Sequence, residues 1–279
     1  MDQAAVLSLE WGEKLNRIDL NSVNQEPVTG HTSKGDQPKW HIRDSWYKAD
    51  HMGTESLSEI LISAMLSRSN ISDFVTYAPI MISYHDHDLR GCVSQNFRAD
   101  DEMLVPFERL HRTYQGIGLA KALAAIPDTK EKIRYTVDFV ERITKLTDVG
   151  PYLTTILELD GFTLNEDRHT NNLAVIRNEK ILTYRLCPIF DNGLALLSDL
   201  NDYPLEQDVY ACIDKVHAKP FSYNFDEQIE CAESLYGSHL KFSFKKSDIY
   251  TALDGLAGFY PKDILNRAER VILEQMRRW

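Results

Sequence analysis

Two short runs, Lys39 to Ile42 and Ser45 to Ala49, alternate apolar and polar residues around the polar pair Arg43-Asp44. Period-two alternation on both sides of a two-residue break predicts a tight β-hairpin. From Thr54 to Arg68 the period changes, and Leu57, Ile60, Leu61, Ala64 and Met65 recur at helical spacing behind the N-cap candidates Thr54 and Ser56. Phe74 to Tyr77 and Leu89 to Phe97 read as further strands, with Tyr84-His85-Asp86-His87-Asp88 between them. That His-Asp-His-Asp run reads as a solvated turn and not a metal site, because neighbouring strand-end residues point in opposite directions. The charged segment Arg98 to Glu102 marks the expected boundary between lobes.

Beyond it, Pro127-Asp128 opens a helix to about Leu146, with Ile133, Val137, Val140 and Ile143 inward. Gly150-Pro151 is expected to break it, and a short apolar helix, Tyr152 to Leu159, to close at Asp160-Gly161 inside the lobe. Leu173 to Leu186, β-branched and apolar around the polar turn Arg177-Asn178-Glu179-Lys180, reads as a hairpin. Lys219-Pro220-Phe221-Ser222 reads as a loop, and Pro261 to Met276 as an amphipathic helix. No internal repeat, low-complexity tract or Gly/Ser linker interrupts the chain.

With 279 residues and 43% hydrophobic content, the chain can bury the core of one large domain or a two-lobed one. Its 42 acidic residues against 31 basic ones, a formal charge of -11, argue against a general nucleic-acid or membrane-surface role, either of which needs a basic face. Cys92, Cys187, Cys212 and Cys231 lack metal-ligand or disulfide-framework spacing and read as buried free thiols. An acidic start and the lack of any membrane-length apolar run lead to the expectation of a soluble, cytoplasmic product.

Candidate chemistry centres on Asp167-Arg168-His169-Thr170-Asn171-Asn172 and on Phe190-Asp191-Asn192-Gly193. The hairpin between them brings Asp167, Asn172 and Asp191 to one end. One carboxylate, one amide and one further carboxylate supply what phosphoryl transfer needs: a base to orient a hydroxyl and hard oxygen ligands for magnesium. Upstream, Gly30 and Gly35 have Walker A spacing, but Asp36-Gln37 follow where Lys-Ser/Thr is required, which rules out a P-loop. A loop with backbone amides and the hydroxyls of Thr32 and Ser33 remains, able to lie over phosphates. Lys48 falls on the second strand of the first hairpin. Glu55 and Glu59, one turn apart on the following helix, are both spaced to reach it.

An Asp, an Asn five residues later, a hairpin, and an Asp after two bulky apolar residues reproduce the order of parts in kinase active sites. Asp167 precedes the Arg-His pair instead of following it, and Asn192-Gly193 stands where eukaryotic protein kinases have Phe-Gly. Asp-Arg-His-x-x-Asn with a downstream Asp-Asn, together with a Gly30 to Lys39 loop ending in Gln-Pro-Lys and with Trp46-Tyr47-Lys48, resembles compact members of the HipA-like serine/threonine kinase family. The resemblance runs from about Gly30 to the C-terminus.

It implies an α+β, two-lobed protein-kinase-like fold, with a small β-rich N-lobe carrying one helix at residues 1–100 and a larger, mainly helical C-lobe at 101–279. It implies ATP and Mg2+ as cofactors and a protein Ser/Thr hydroxyl as acceptor. Asp167 becomes the catalytic base, Asn172 and Asp191 the magnesium ligands, and Lys48 the lysine on the ATP phosphates. Glu59 is taken as its acidic partner, because it lies deeper in the helix, where the dipole explains an acid less well. Gly30, Ser33 and Gly35 belong to the nucleotide loop, and Ser33 or Thr32 is the candidate autophosphorylation site, with inhibition expected from phosphate there. The expected partner is a protein substrate, with no direct nucleic-acid or membrane contact. The short span from Lys39 to Lys48 predicts a compact N-lobe without the extra N-terminal subdomain of HipA toxins, which argues against an antitoxin-type partner. Two rivals share parts of the pattern: a phosphoinositide-type lipid kinase, whose metal motif His-Ile-Asp-Phe-Gly differs from Pro188 to Gly193, and a nucleotide-binding pseudokinase.

Overall fold

In the computed structural model, which describes residues 16–25 and 37–279, the first regular element is the three-residue strand Arg17–Asp19 (β1). The predicted hairpin follows as Lys39–Ile42 (β2) and Ser45–Ala49 (β3), paired Lys39 to Lys48 and Ile42 to Ser45. Arg43 takes a φ of 52° in the two-residue turn, the left-handed geometry such turns demand. Next comes the helix Glu55–Leu66 (α1), buried on nearly every side and therefore apolar well beyond a single stripe.

The strand expected at Phe74 to Tyr77 does not form there. Tyr77 donates its backbone N–H to Ser63 Oγ on α1 (3.3 Å), and pairing begins one residue later, at Ala78–Tyr84 (β4). His87–Gln95 (β5) pairs with it antiparallel through a turn at His85-Asp86, whose φ values are 49° and 62°. The sheet order is β1-β4-β5-β3-β2, with only β1 and β4 parallel. Leu20, Trp40, Ala49, Ile80 and Ile82 form the buried core on this sheet, with Ile18, Tyr47 and Val93 packed against it.

Glu102–Pro106 (β6) leads into Phe107–Gln115 (α2), Leu119–Ala124 (α3) and Thr129–Thr144 (α4). Asp128 caps α4 by accepting from Glu131 N (2.8 Å), as its position before the periodic run foretells. The next helix, Val149–Thr163 (α5), corrects the sequence reading at both ends. Gly150-Pro151 lies in its first turn, where proline sacrifices no hydrogen bond. Asp160-Gly161 lies inside it, Asp160 held by a buried ion pair and Gly161 packed against Ile229.

Ala174–Asn178 (β7) and Tyr184–Leu186 (β8) form the second predicted hairpin, and β6 completes a three-stranded sheet in the order β6-β7-β8. Its turn is displaced from the expected Arg177 to Lys180: Arg177 pairs with Tyr184, and Asn178 Oδ1 turns the chain by accepting from Lys180 N (3.0 Å) and Ile181 N (3.1 Å). Four helices follow, Val209–Ile213 (α6), Phe225–Tyr236 (α7), Lys246–Gly255 (α8) and Lys262–Arg278 (α9).

These elements gather into two units. One contains the described residues up to Asn96 with Asp191–Lys215 and Lys241–Trp279, hence the five-stranded sheet, α1, α6, α8 and α9. The other contains Phe97–Phe190 and Val216–Leu240, hence β6 to β8, α2 to α5 and α7. The four cysteines are free thiols, three of them buried and Cys231 half-buried. Among the described residues, no helix is long and apolar enough to cross a membrane.

Candidate active site

In the sheet unit, the end of β3 carries Lys48 inward. Its ammonium meets Glu59 Oε1 from α1 at 2.6 Å and Asp191 Oδ1 at 2.9 Å, above the ring of Tyr77, whose centroid is 5.4 Å away. Glu59 is fully buried, and its second oxygen accepts from Asn192 N at 3.0 Å. One glutamate thus holds both the lysine and the chain beside Asp191. Asp191 itself has a φ of 61°, a conformation that aspartate tolerates better than most residues. The segment after it is tied back to α1, with Ser58 Oγ donating to Ala195 O (2.8 Å) and Ser198 Oγ closing on Gly193 O (2.7 Å).

Glu55 does different work. Its carboxylate accepts from the N–H groups of His51 (3.2 Å), Met52 (2.6 Å) and Gly53 (3.1 Å), and so shapes the turn leading into α1. Of the two acids that helical spacing left open, the structure places Glu59 on Lys48. Burial by itself would drive Lys48 toward its neutral form, but the Asp191 and Glu59 carboxylates overcome it and hold its pKa well above the ordinary lysine value. Burial raises the Glu59 carboxyl, with Lys48 pulling the other way. The cluster therefore sets one cation among two carboxyl groups and is disposed to accept further positive charge.

In the other unit, the Asp167 to Asn172 segment leaves the end of α5 as a loop built on a buried ion pair. Arg168 grips Asp160 through Nε (2.9 Å) and Nη2 (3.0 Å), and both side chains are 1% exposed. Its third nitrogen, Nη1, donates to Phe190 O (3.0 Å) and Asn172 O (3.3 Å), so one guanidinium fixes both the end of the loop and the residue before Asp191. Asn165 joins the network from below, donating to Asp160 Oδ1 (2.9 Å) and accepting from Asp167 N (3.1 Å). Thr170 anchors the far side through Glu108 Oε2 (2.8 Å). Asn172 donates its amide to Asp167 O at 2.9 Å, closing the loop on itself. Asp167 meets Lys219 Nζ at Oδ1 (3.5 Å) and His169 Nε2 at Oδ2 (3.7 Å).

The predicted residues thus fall into two groups, Lys48, Glu59 and Asp191 in one unit and Asp167 and Asn172 in the other. Gly30, Thr32, Ser33 and Gly35 lie outside the described residues. Taken singly, each unit offers a hard oxygen donor of the kind magnesium takes: Asn172 an amide, and Asp191 a carboxylate whose side chain is 38% exposed. Two residues that the sequence does not single out stand beside the motif: Asp160, read as a helix end, and Lys219, read as part of a loop. Eight residues before an Arg-His pair, an acid within an otherwise apolar helical run is a signal that could have identified Asp160, although Glu158 shares it; nothing local distinguishes Lys219.

One solved structure, that of a Helicobacter pylori proinflammatory kinase, CtkA, superposes on the chain with a TM-score of 0.62 over 94% of this chain and 95% of that one. The chain has a kinase-like fold. The likeness is of fold, since identity is 14%, and it agrees with the two-lobed α+β architecture and the resemblance read from the sequence. No protein-family model and no curated protein matches the chain.

Proposed function

We propose that the protein is an ATP- and Mg2+-dependent phosphotransferase acting on a protein serine or threonine hydroxyl. The observation that carries this reading is Lys48, largely buried yet ion-paired to both Glu59 (2.6 Å) and Asp191 (2.9 Å). A buried ion pair of this kind is poor structural economy, because apolar residues of similar volume stabilise a core as well or better. A strand lysine held by a helix glutamate and a loop aspartate is, by contrast, what positioning of ATP phosphates requires.

In the proposed reaction, Lys48 holds the nucleotide phosphates while Asp167 orients the acceptor hydroxyl and takes its proton. The new bond forms between that oxygen and the γ-phosphorus, the bond to the β,γ-bridging oxygen breaks, and ADP departs with the electron pair. Magnesium held by Asn172 and Asp191 would neutralise phosphate charge. Arg168 and Asp160 touch none of these atoms and act by fixing the loop. The choice of a serine or threonine acceptor, and of Ser33 or Thr32 as an autophosphorylation site, rests on the sequence resemblance. Incubation of the purified chain with labelled ATP, Mg2+ and a generic protein acceptor tests the reading; label on protein is expected, and its absence under all divalent-ion conditions would refute it.

A further inference from the structure

Lys219 lies outside every motif that the sequence presents, yet its Nζ is 3.5 Å from Asp167 Oδ1. Its backbone is held on both sides. Ala218 and Phe221 are each 1% exposed, Ala218 N donates to Tyr223 O (2.9 Å), and Lys132 Nζ donates to Phe221 O (3.1 Å). The lysine is thus presented by an anchored loop.

Its contact differs in kind from that of Lys48. Lys48 is gripped at 2.6 and 2.9 Å by two carboxylates, whereas Lys219 stands 3.5 Å from one, beyond the ~2.7–2.9 Å of a closed charge-assisted hydrogen bond. An ammonium has three donors, and the distance to Asp167 leaves this one loosely engaged. Stability does not account for the placement, since the Lys219 side chain is 35% exposed and ion pairs near solvent contribute only about 0–1 kcal/mol. Chemistry does. Charge on a transferring phosphoryl group spreads over its equatorial oxygens, and an anionic base beside it repels that charge unless a cation stands next to both.

We propose that Lys219 is a second phosphate-binding cation, which holds the transferred γ-phosphoryl group beside Asp167 while Lys48 serves the phosphates that remain on ADP. The assignment rests on the phosphotransferase reading, so its test must separate the two. Binding of Mg-ADP and of the β,γ-imido analogue of ATP is measured for the wild type, Lys219→Met and Lys219→Arg, together with phosphate transfer from ATP. Loss of one charge-assisted contact predicts that Lys219→Met loses roughly tenfold or more of its affinity for the triphosphate analogue with ADP affinity unchanged. Turnover should fall by roughly 10²–10³-fold, as when one donor to developing charge is removed. Lys219→Arg, which keeps the charge, should retain most of both. Equal losses for ADP and the analogue, wild-type binding and turnover in Lys219→Met, or an arginine variant as impaired as the methionine one would each overturn the role of Lys219. A wild type that binds neither nucleotide and transfers no phosphate overturns the phosphotransferase reading itself.

Discussion

Glu59 Oε1 lies 2.6 Å from Lys48 Nζ, with the glutamate fully buried and the lysine largely so. Removing Glu59 leaves a largely buried Lys48 with only Asp191 to offset its burial and strands Asn192 N without its acceptor. Glu59→Ala is therefore expected to destabilise the chain by about 3–5 kcal/mol, read as a shift of the urea midpoint at constant slope. Lys48→Met combined with Glu59→Leu should recover most of that loss while transferring no phosphate. Recovery of transfer along with stability would show that the pair serves the fold alone.

Arg168 allows a similar separation. Arg168→Ala strands the buried Asp160 carboxylate, whose pKa burial already raises against the pull of the guanidinium, and should cost about 3–5 kcal/mol. Arg168→Lys keeps a charge for Asp160 but cannot also reach Asn172 O and Phe190 O. It is expected to melt closer to the wild type than Arg168→Ala does, yet to lose at least roughly tenfold in transfer rate, since loop placement and not charge is what it gives up. Wild-type turnover in Arg168→Lys would remove Arg168 from the positioning role.

Asp50 supplies a pH signature. It accepts from Ser56 N (2.7 Å) at the start of α1 and from Tyr260 Oη (2.7 Å), and burial pushes its pKa up to about 7. Because this exceeds the unfolded value near ~3.9, the folded chain binds the proton more tightly than the unfolded one. The associated stability is complete below about pH 4 and is lost as the pH rises toward 7. The difference in melting temperature between Asp50→Asn and the wild type should therefore widen in favour of the variant from pH 4 to pH 7 and level off above. A difference that stays constant across that window would contradict the assignment.

Asp191 separates conformation from chemistry. With φ at 61°, Asp191→Gly relieves any backbone cost and Asp191→Asn tolerates it, so both should fold. Both lose the carboxylate proposed to hold magnesium, and magnesium-dependent nucleotide binding should fall in both, measured by titration with and without the metal. Unchanged magnesium dependence in either variant would remove Asp191 from the metal site.

The elements legible in the sequence are those whose signals are local. The β2–β3 hairpin appears at its predicted residues because alternation and a two-residue turn specify register together, and α4 begins where Asp128 announces it. Elsewhere, tertiary packing outweighed the local signal. Gly150-Pro151 reads as a break but sits in the first turn of α5, and Phe74 to Tyr77 reads as a strand but is bonded to α1. In α7, Asn224 accepts from Glu227 N at 3.1 Å, a cap signal present in the sequence but not used. The candidate site residues are read from their order along the chain, and Glu59 is preferred to Glu55 for its depth in the helix; the structure pairs Glu59 with Lys48 and shows Glu55 taken up by the turn at His51 to Gly53. Lys219 had no local signal, since its significance comes entirely from the packing that delivers it to Asp167.

Phosphate transfer through Asp167 and Asp191 is tested by label from γ-labelled ATP on protein in the presence of Mg2+. Wild type, Asp167→Asn and Asp191→Asn are compared, with folding of each checked by thermal melting. Label is expected with the wild type, and a loss of several orders of magnitude in both variants. Equal labelling by all three proteins would contradict it.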